Sequence, residues 1–115
     1  MDSKELAFIV ADLMLQKKGS RILVMDLKDL TTVTDYFVVC SATSDTQVKA
    51  ISDFIKAETK KIDETAWHNE GYSNLSWVLL DFVNVVVHIF LEDTRKFYNL
   101  EGLWADAKIN EIKDE

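Results

Sequence analysis

The segment from residue 76 to residue 91 restricts the fold more than any other part of the sequence. Two apolar stretches, 76–81 and 85–91, are separated by only three residues, and this spacing predicts an antiparallel hairpin. In the register that we infer, both faces are apolar: one carries Trp77, Leu79, Val87 and Ile89, and the other carries Val78, Leu80, Val86, His88 and Phe90. A sheet that is apolar on both faces needs packing elements on both sides.

Two long amphipathic helices can provide much of that cover. Asp2 and Glu5 have the spacing of a capping box, and apolar residues then follow with the helical period, which predicts a helix over residues 3–18. A second capping box, Ser44 with Gln47, predicts another helix that ends near Glu64. The lysines of the second helix lie off its apolar stripe and indicate a solvated face.

The remaining segments predict the sheet and the C-terminal region. Residues 21–26 and 35–42 predict two strands, and a short edge strand near Trp67 is expected to end before Gly71. Short helices are predicted over 93–98 and 100–107, and the charged tail 110–115 is predicted to be frayed. The order α-β-β-α-β-β-β-α predicts one α/β (α+β) domain over residues 1–115, with a mixed sheet of about five strands.

The second face of this sheet has two interpretations. Either the short C-terminal helices cover it, or they leave an exposed apolar strip for a second copy of the chain or for another protein. Tryptophan, tyrosine and arginine most often anchor protein interfaces, and the C-terminal third contains four such residues: Trp77, Arg95, Tyr98 and Trp104.

Charge and composition restrict the partners and the location. The formal net charge of the 115 residues is -7, which disfavours nucleic-acid binding by general attraction but permits a basic protein partner. The first residues lack a basic segment followed by an apolar run, and no apolar run is long enough to span a bilayer. Together with the single cysteine, these features predict a soluble, cytoplasmic protein that has no membrane partner.

The residues that could carry catalysis or bind a metal form no recognisable motif. Cys40, His68 and His88 are scattered without ligand spacing, so we expect neither a metal nor a cofactor. Cys40 is interpreted as a buried strand residue, and His88 as a core histidine or as a partner contact.

An enzyme remains the alternative hypothesis. A nucleotidyltransferase needs paired carboxylates that hold divalent ions, commonly Asp-x-Asp on a strand, but Asp26 is followed two residues later by Lys28. We therefore expect a protein that is not an enzyme, and the alternative is an enzyme that uses a divalent metal and a nucleotide.

Three blocks of the sequence resemble a known family. They are DYFVVCSATSDTQVKAI (35–51), WVLLD (77–81) followed by VVVHIF (85–90), and RKFYNLE (95–101) followed by Leu103, Trp104 and Ala107. These blocks closely resemble those of the ribosome silencing factors, the Iojap family, in the same order and over nearly the whole chain. Two positions depart from the family pattern: Asn84 stands where aspartate is frequent, and Gly102 interrupts the third block.

The resemblance implies a nucleotidyltransferase-like fold that lacks the catalytic acids, and a translational repressor. Such a protein would bind the large ribosomal subunit through ribosomal protein L-fourteen, block association with the small subunit and slow translation when nutrients are limited. The resemblance also implies a homodimer when the protein is free. Together with the apolar strip, it predicts partner contacts at a centre of Trp77, Leu79 and Tyr98, a rim of Asp81, His88 and Arg95, and Trp104.

Overall fold

Both long helices begin at the polar caps that the sequence predicts. In the computed structural model, which describes residues 1–113, the Asp2 carboxylate accepts a hydrogen bond from the Glu5 amide at 2.8 Å. Ser44 accepts one from the Gln47 amide at 3.1 Å. The first helix ends at residue 16 and the second at residue 60, earlier than expected, and left-handed residues follow them at Lys18 (φ 66°) and Asp63 (φ 62°).

The chain forms four helices and six strands over the described residues. In chain order these are α1 (Ser3–Gln16), β1 (Ser20–Asp26), β2 (Tyr36–Ala42), α2 (Asp45–Lys60), β3 (His68–Glu70), β4 (Trp77–Asp81), β5 (Val85–Leu91), α3 (Glu92–Tyr98), α4 (Leu100–Leu103) and β6 (Lys108–Ile112). The strands form one sheet in the order β3-β4-β5-β2-β1-β6. Only the β2–β5 pair is parallel among them, so the predicted mixed sheet of an α+β fold is confirmed.

The sixth strand corrects two predictions. Residues 108–112 pair antiparallel with β1, so the sheet has six strands rather than about five, and residues 110–112 are not frayed. The side chains of β6 are mostly exposed, which gives no apolar pattern from which the strand could be predicted, but the open edge of β1 supplies backbone hydrogen bonds. The last two residues of the expected tail, 114 and 115, lie outside the described residues.

The predicted register of the β4–β5 hairpin is wrong by one residue. Trp77 pairs with Phe90, and Leu79 pairs with His88, so these four side chains share a face. The cause is the turn. The Phe82 amide donates to the Val85 carbonyl at 2.8 Å, which leaves two residues in the loop instead of three and shifts every pair by one.

The helices cover the two faces of the sheet unequally. Helices α1 and α2 pack on one face and form the larger core with alternate residues of the central strands, including Val78, Leu80, Val87 and Ile89. On the other face, α3, α4 and the following turn cover a smaller cluster whose buried members are Met25, Leu27, Val39, Phe90 and Leu100. Helix α4 ends at residue 103, short of the predicted residue 107. None of the helices described is long and apolar enough to cross a bilayer.

Candidate functional site

One incompletely covered part of the second face lies at β4. Trp77 and Leu79 are half-buried there, and Tyr98 at the end of α3 is 50% exposed. These three residues, which we call the Trp77 surface, line a groove of about 310 Å³ together with Glu70, Gly71 and Thr94. Of the two interpretations of the second face, the structure favours the exposed one at this edge, where apolar side chains remain accessible.

Aromatic contacts and one hydrogen bond hold the Trp77 indole. Its ring lies 4.8 Å from that of Phe90 and 4.9 Å from that of Tyr98, measured between centroids. Its Nε1–H donates to Nδ1 of His88 at 3.1 Å. Trp77 is therefore anchored on three sides by residues of β5 and α3, although it is only half-buried.

His88 lies beneath the Trp77 surface and not at its rim. Only 3% of His88 is exposed, and burial lowers the pKa of its imidazole to about 3. The interpretation of His88 as a core residue is thus confirmed, and the expectation that it borders the surface is wrong. The observed pairing places His88 directly opposite Leu79 on the face of Trp77, where the indole covers it.

Arg95 is also buried, with 1% of its surface exposed, so its predicted place at the rim is wrong. Its guanidinium donates to Glu101 at 2.7 Å, to the Arg21 carbonyl at 2.7 Å and to the Ser41 hydroxyl at 3.0 Å. Arg21 has a left-handed φ of 49° at an irregularity in the β1–β2 pairing. The buried arginine therefore ties α3, which ends at Tyr98, to the sheet and to α4.

The other two predicted partner residues lie at different places. Asp81 is half-buried, on the same face as Trp77, and its carboxylate accepts from the Val83 amide at 2.7 Å in the hairpin turn. Trp104 is half-buried against the smaller cluster, with its ring centroid 5.8 Å from that of Phe37. It does not line the groove at Trp77. The structure thus brings Trp77, Leu79 and Tyr98 together and separates Trp104 from them.

Three acids beside the strands, Asp26, Asp35 and Asp81, have structural partners. Asp26 accepts from the Lys28 amide at 3.0 Å, and this hydrogen bond lowers the pKa of its carboxyl. Asp35 accepts from the Ser3 hydroxyl at 2.6 Å, and Asp81 is held in the hairpin turn. Within residues 1–113, no three histidine, cysteine or acidic side chains are grouped to hold a metal ion. Cys40 is buried as expected, and burial raises its pKa to about 12.

One residue that shapes the groove, Gly71, is absent from the predicted site. Gly71 has φ 93°, and a Cβ built on it would lie 1.9 Å from the Trp77 carbonyl oxygen. Only glycine fits this conformation and this close approach of the loop to β4. A glycine that directly follows a predicted edge strand was the available signal.

The geometry defines an α+β domain with an accessible aromatic groove at one edge of its sheet. The model of the family described as "Ribosomal silencing factor during starvation" matches residues 1–115, and the chain belongs to this family.

Individual relatives agree with this membership. The chain is 38% identical over 112 residues to "Ribosomal silencing factor RsfS" of Bacillus subtilis, covering 97% of this chain and 95% of the relative. It is 36% identical over 117 residues to the chloroplastic Iojap protein of Arabidopsis thaliana, covering 99% of this chain and 48% of that protein. A crystal structure of a Chromobacterium violaceum protein superposes with a TM-score of 0.89 at 28% identity, covering 99% and 95% of the two chains.

Proposed function

We propose that this protein represses translation by binding the large ribosomal subunit through ribosomal protein L-fourteen and blocking association with the small subunit. The observation that carries the proposal is the Trp77 surface, which is accessible in this member of the silencing-factor family although the Trp77 indole is fixed by its hydrogen bond to His88. Fixed aromatic side chains beside a groove are typical interface anchors because little side-chain entropy is lost on binding. The repression would operate in the cytoplasm when nutrients are limited.

The charge of the domain supports a protein contact on the ribosome in preference to an RNA contact. With a net charge of -7, the domain is repelled by bare phosphate backbone, whereas a basic ribosomal protein would be attracted. Glu70 lines the groove beside Leu79, and Asp81 lies on the same face of β4. These acids would face basic residues of the partner and fix its orientation.

The direct test compares variants of the Trp77 surface in sedimentation with purified large subunits. We expect Trp77→Ala or Tyr98→Ala to weaken binding by about 2 kcal/mol, or roughly 30-fold, as for an interface hot spot. Phe8→Ala is the control, because Phe8 is a half-buried aromatic residue on α1, across the sheet from the groove. Unchanged co-sedimentation of both variants would refute the proposed contact residues.

A melting curve separates lost contact from lost structure. If Trp77 served mainly the core, its truncation would cost about 3–5 kcal/mol of stability and lower the melting temperature sharply. Tyr98, which is 50% exposed, gives a variant with a much smaller structural effect. Reduced binding by Tyr98→Ala at an almost unchanged melting temperature therefore supports the contact without this ambiguity.

The second step of the proposal is tested by adding small subunits to the bound complex. We expect the wild-type protein to keep the subunits apart in a sucrose gradient, and Tyr98→Ala to let them associate.

We also propose that the free protein is a homodimer. Its size in solution, measured alone and on the large subunit, would show whether the second copy leaves when the subunit binds; a dimer that persists there would favour a purely structural pairing.

A further inference from the structure

The hydrogen bond between Trp77 and His88 fixes the protonation of the imidazole. An indole Nε1–H can only donate, so Nδ1 of His88, 3.1 Å away, must be the unprotonated acceptor. The ring is neutral because burial lowers its pKa to about 3, and its one proton is therefore on Nε2. His88 presents a single tautomer in which the lone pair faces the indole.

The other ring nitrogen of His88, Nε2, destabilises the folded state, because it is buried without a partner among the residues described. The groups around the ring are largely aromatic, with Phe37 at 4.6 Å and Phe90 at 6.0 Å between centroids. A buried donor that is left unpaired destabilises the folded state, and an apolar side chain at this position would avoid that cost.

We propose that His88 is a positioning residue: it fixes the orientation of the Trp77 indole in the free protein and so preorganises the Trp77 surface for its partner. Phe90 and Tyr98 contact the indole without a directional bond, whereas the acceptor at Nδ1 selects the orientation that points Nε1–H toward β5. Because the indole N–H already donates to His88 inside the domain, the partner would contact Trp77 through its apolar ring atoms. The binding role of this proposal rests on the proposed function.

The test uses two substitutions at His88. Leucine removes the acceptor and is compatible with the apolar surroundings. Asparagine can place its Oδ1 where Nδ1 lies, and serves as the conservative rescue. Nitrogen-15 NMR measures the chemical shift of the Trp77 Nε1–H group and the rate at which its proton exchanges with solvent. Binding is measured separately by sedimentation with large subunits. Trp67→Phe, which removes an indole that is 82% exposed, helps to assign the Trp77 resonance.

We expect His88→Leu to shift the Trp77 indole resonance, to speed its exchange and to weaken subunit binding roughly fivefold, about the value of one hydrogen bond. His88→Asn should restore much of both signals. An unchanged indole resonance in His88→Leu would overturn the positioning role. A changed resonance with unchanged binding would overturn the preorganisation.

Two further outcomes are distinguishable from these. If the wild-type protein does not bind large subunits, the proposed function fails, and the indole resonances still decide the positioning role. If His88→Leu does not fold, the nitrogen-15 shifts of the His88 ring in the wild-type protein decide it. A protonated Nδ1 contradicts the proposal, and an unprotonated Nδ1 coupled to the indole N–H supports it.

Discussion

Replacement of Arg95 by methionine is the perturbation that most directly tests how the Trp77 surface is held. Methionine keeps an unbranched side chain of similar length but removes the guanidinium. The substitution leaves Glu101 and the Arg21 carbonyl without the donor that lies 2.7 Å from each of them. Because Arg95 joins α3 to β1, β2 and α4, the change should loosen the segment that carries Tyr98.

The structure sets the size of the effect. Breaking a buried ion pair by removing one partner costs about 3–5 kcal/mol. Arg95 is only 1% exposed, but the Glu101 side chain is 21% exposed and can recover some hydration, which places the expected loss near the lower end, about 3 kcal/mol. For a domain of this size, that loss corresponds to a fall in melting temperature of roughly 12 °C.

Urea unfolding followed by circular dichroism measures this loss, and the melting temperature provides a second measurement. Lys96→Met is the matched control, because Lys96 is the exposed neighbour on α3 and its replacement should change the free energy of unfolding by less than about 0.5 kcal/mol. Glu101→Gln keeps an acceptor and should cost less than Arg95→Met. A loss below about 1 kcal/mol for Arg95→Met would refute the view that this arginine fastens α3 to the sheet.

Two other predictions concern Gly71 and the pH dependence that His88 produces. Gly71→Ala should destabilise the domain by about 2 kcal/mol or more in urea unfolding, because φ is 93° and the new Cβ would meet the Trp77 backbone. The control is Gly102→Ala, whose new Cβ meets only the flexible side chain of Asn99 and which should change stability by less than about 1 kcal/mol. Equal effects of the two substitutions would contradict this argument. Burial lowers the pKa of His88 from near 6.5 to about 3, so as the pH falls below 6.5 the imidazole binds a proton in the unfolded chain but not in the folded state. The free energy of unfolding of the wild-type protein should therefore decline relative to that of His88→Leu by up to about 1.4 kcal/mol per pH unit. Parallel pH profiles of the two proteins would contradict the lowered pKa.

Local sequence signals determined the helices and most strands, because caps and hydrophobic period act between residues that are near in the chain. Asp2 and Ser44 start their helices as predicted, and the mixed sheet follows from the order of the elements. The strand β6 was missed because its exposed residues carry no apolar pattern, and the open edge of β1 decides its formation. The three family blocks also identified the silencing-factor family, which the comparison with its model confirms.

Only the tertiary structure decided which predicted site residues are accessible. A one-residue difference in the turn, where Phe82 closes onto Val85, moves His88 to the same face as Trp77 and beneath it. Arg95 is drawn inward by groups that are distant in sequence, the Arg21 carbonyl and the Ser41 hydroxyl, whose convergence no local pattern records. The sequence by itself therefore determined the family, the fold class and the aromatic residues at issue. The packing of α3 on the sheet decided which of them face solvent and which support the others, because burial depends on contacts between segments that are far apart in the chain.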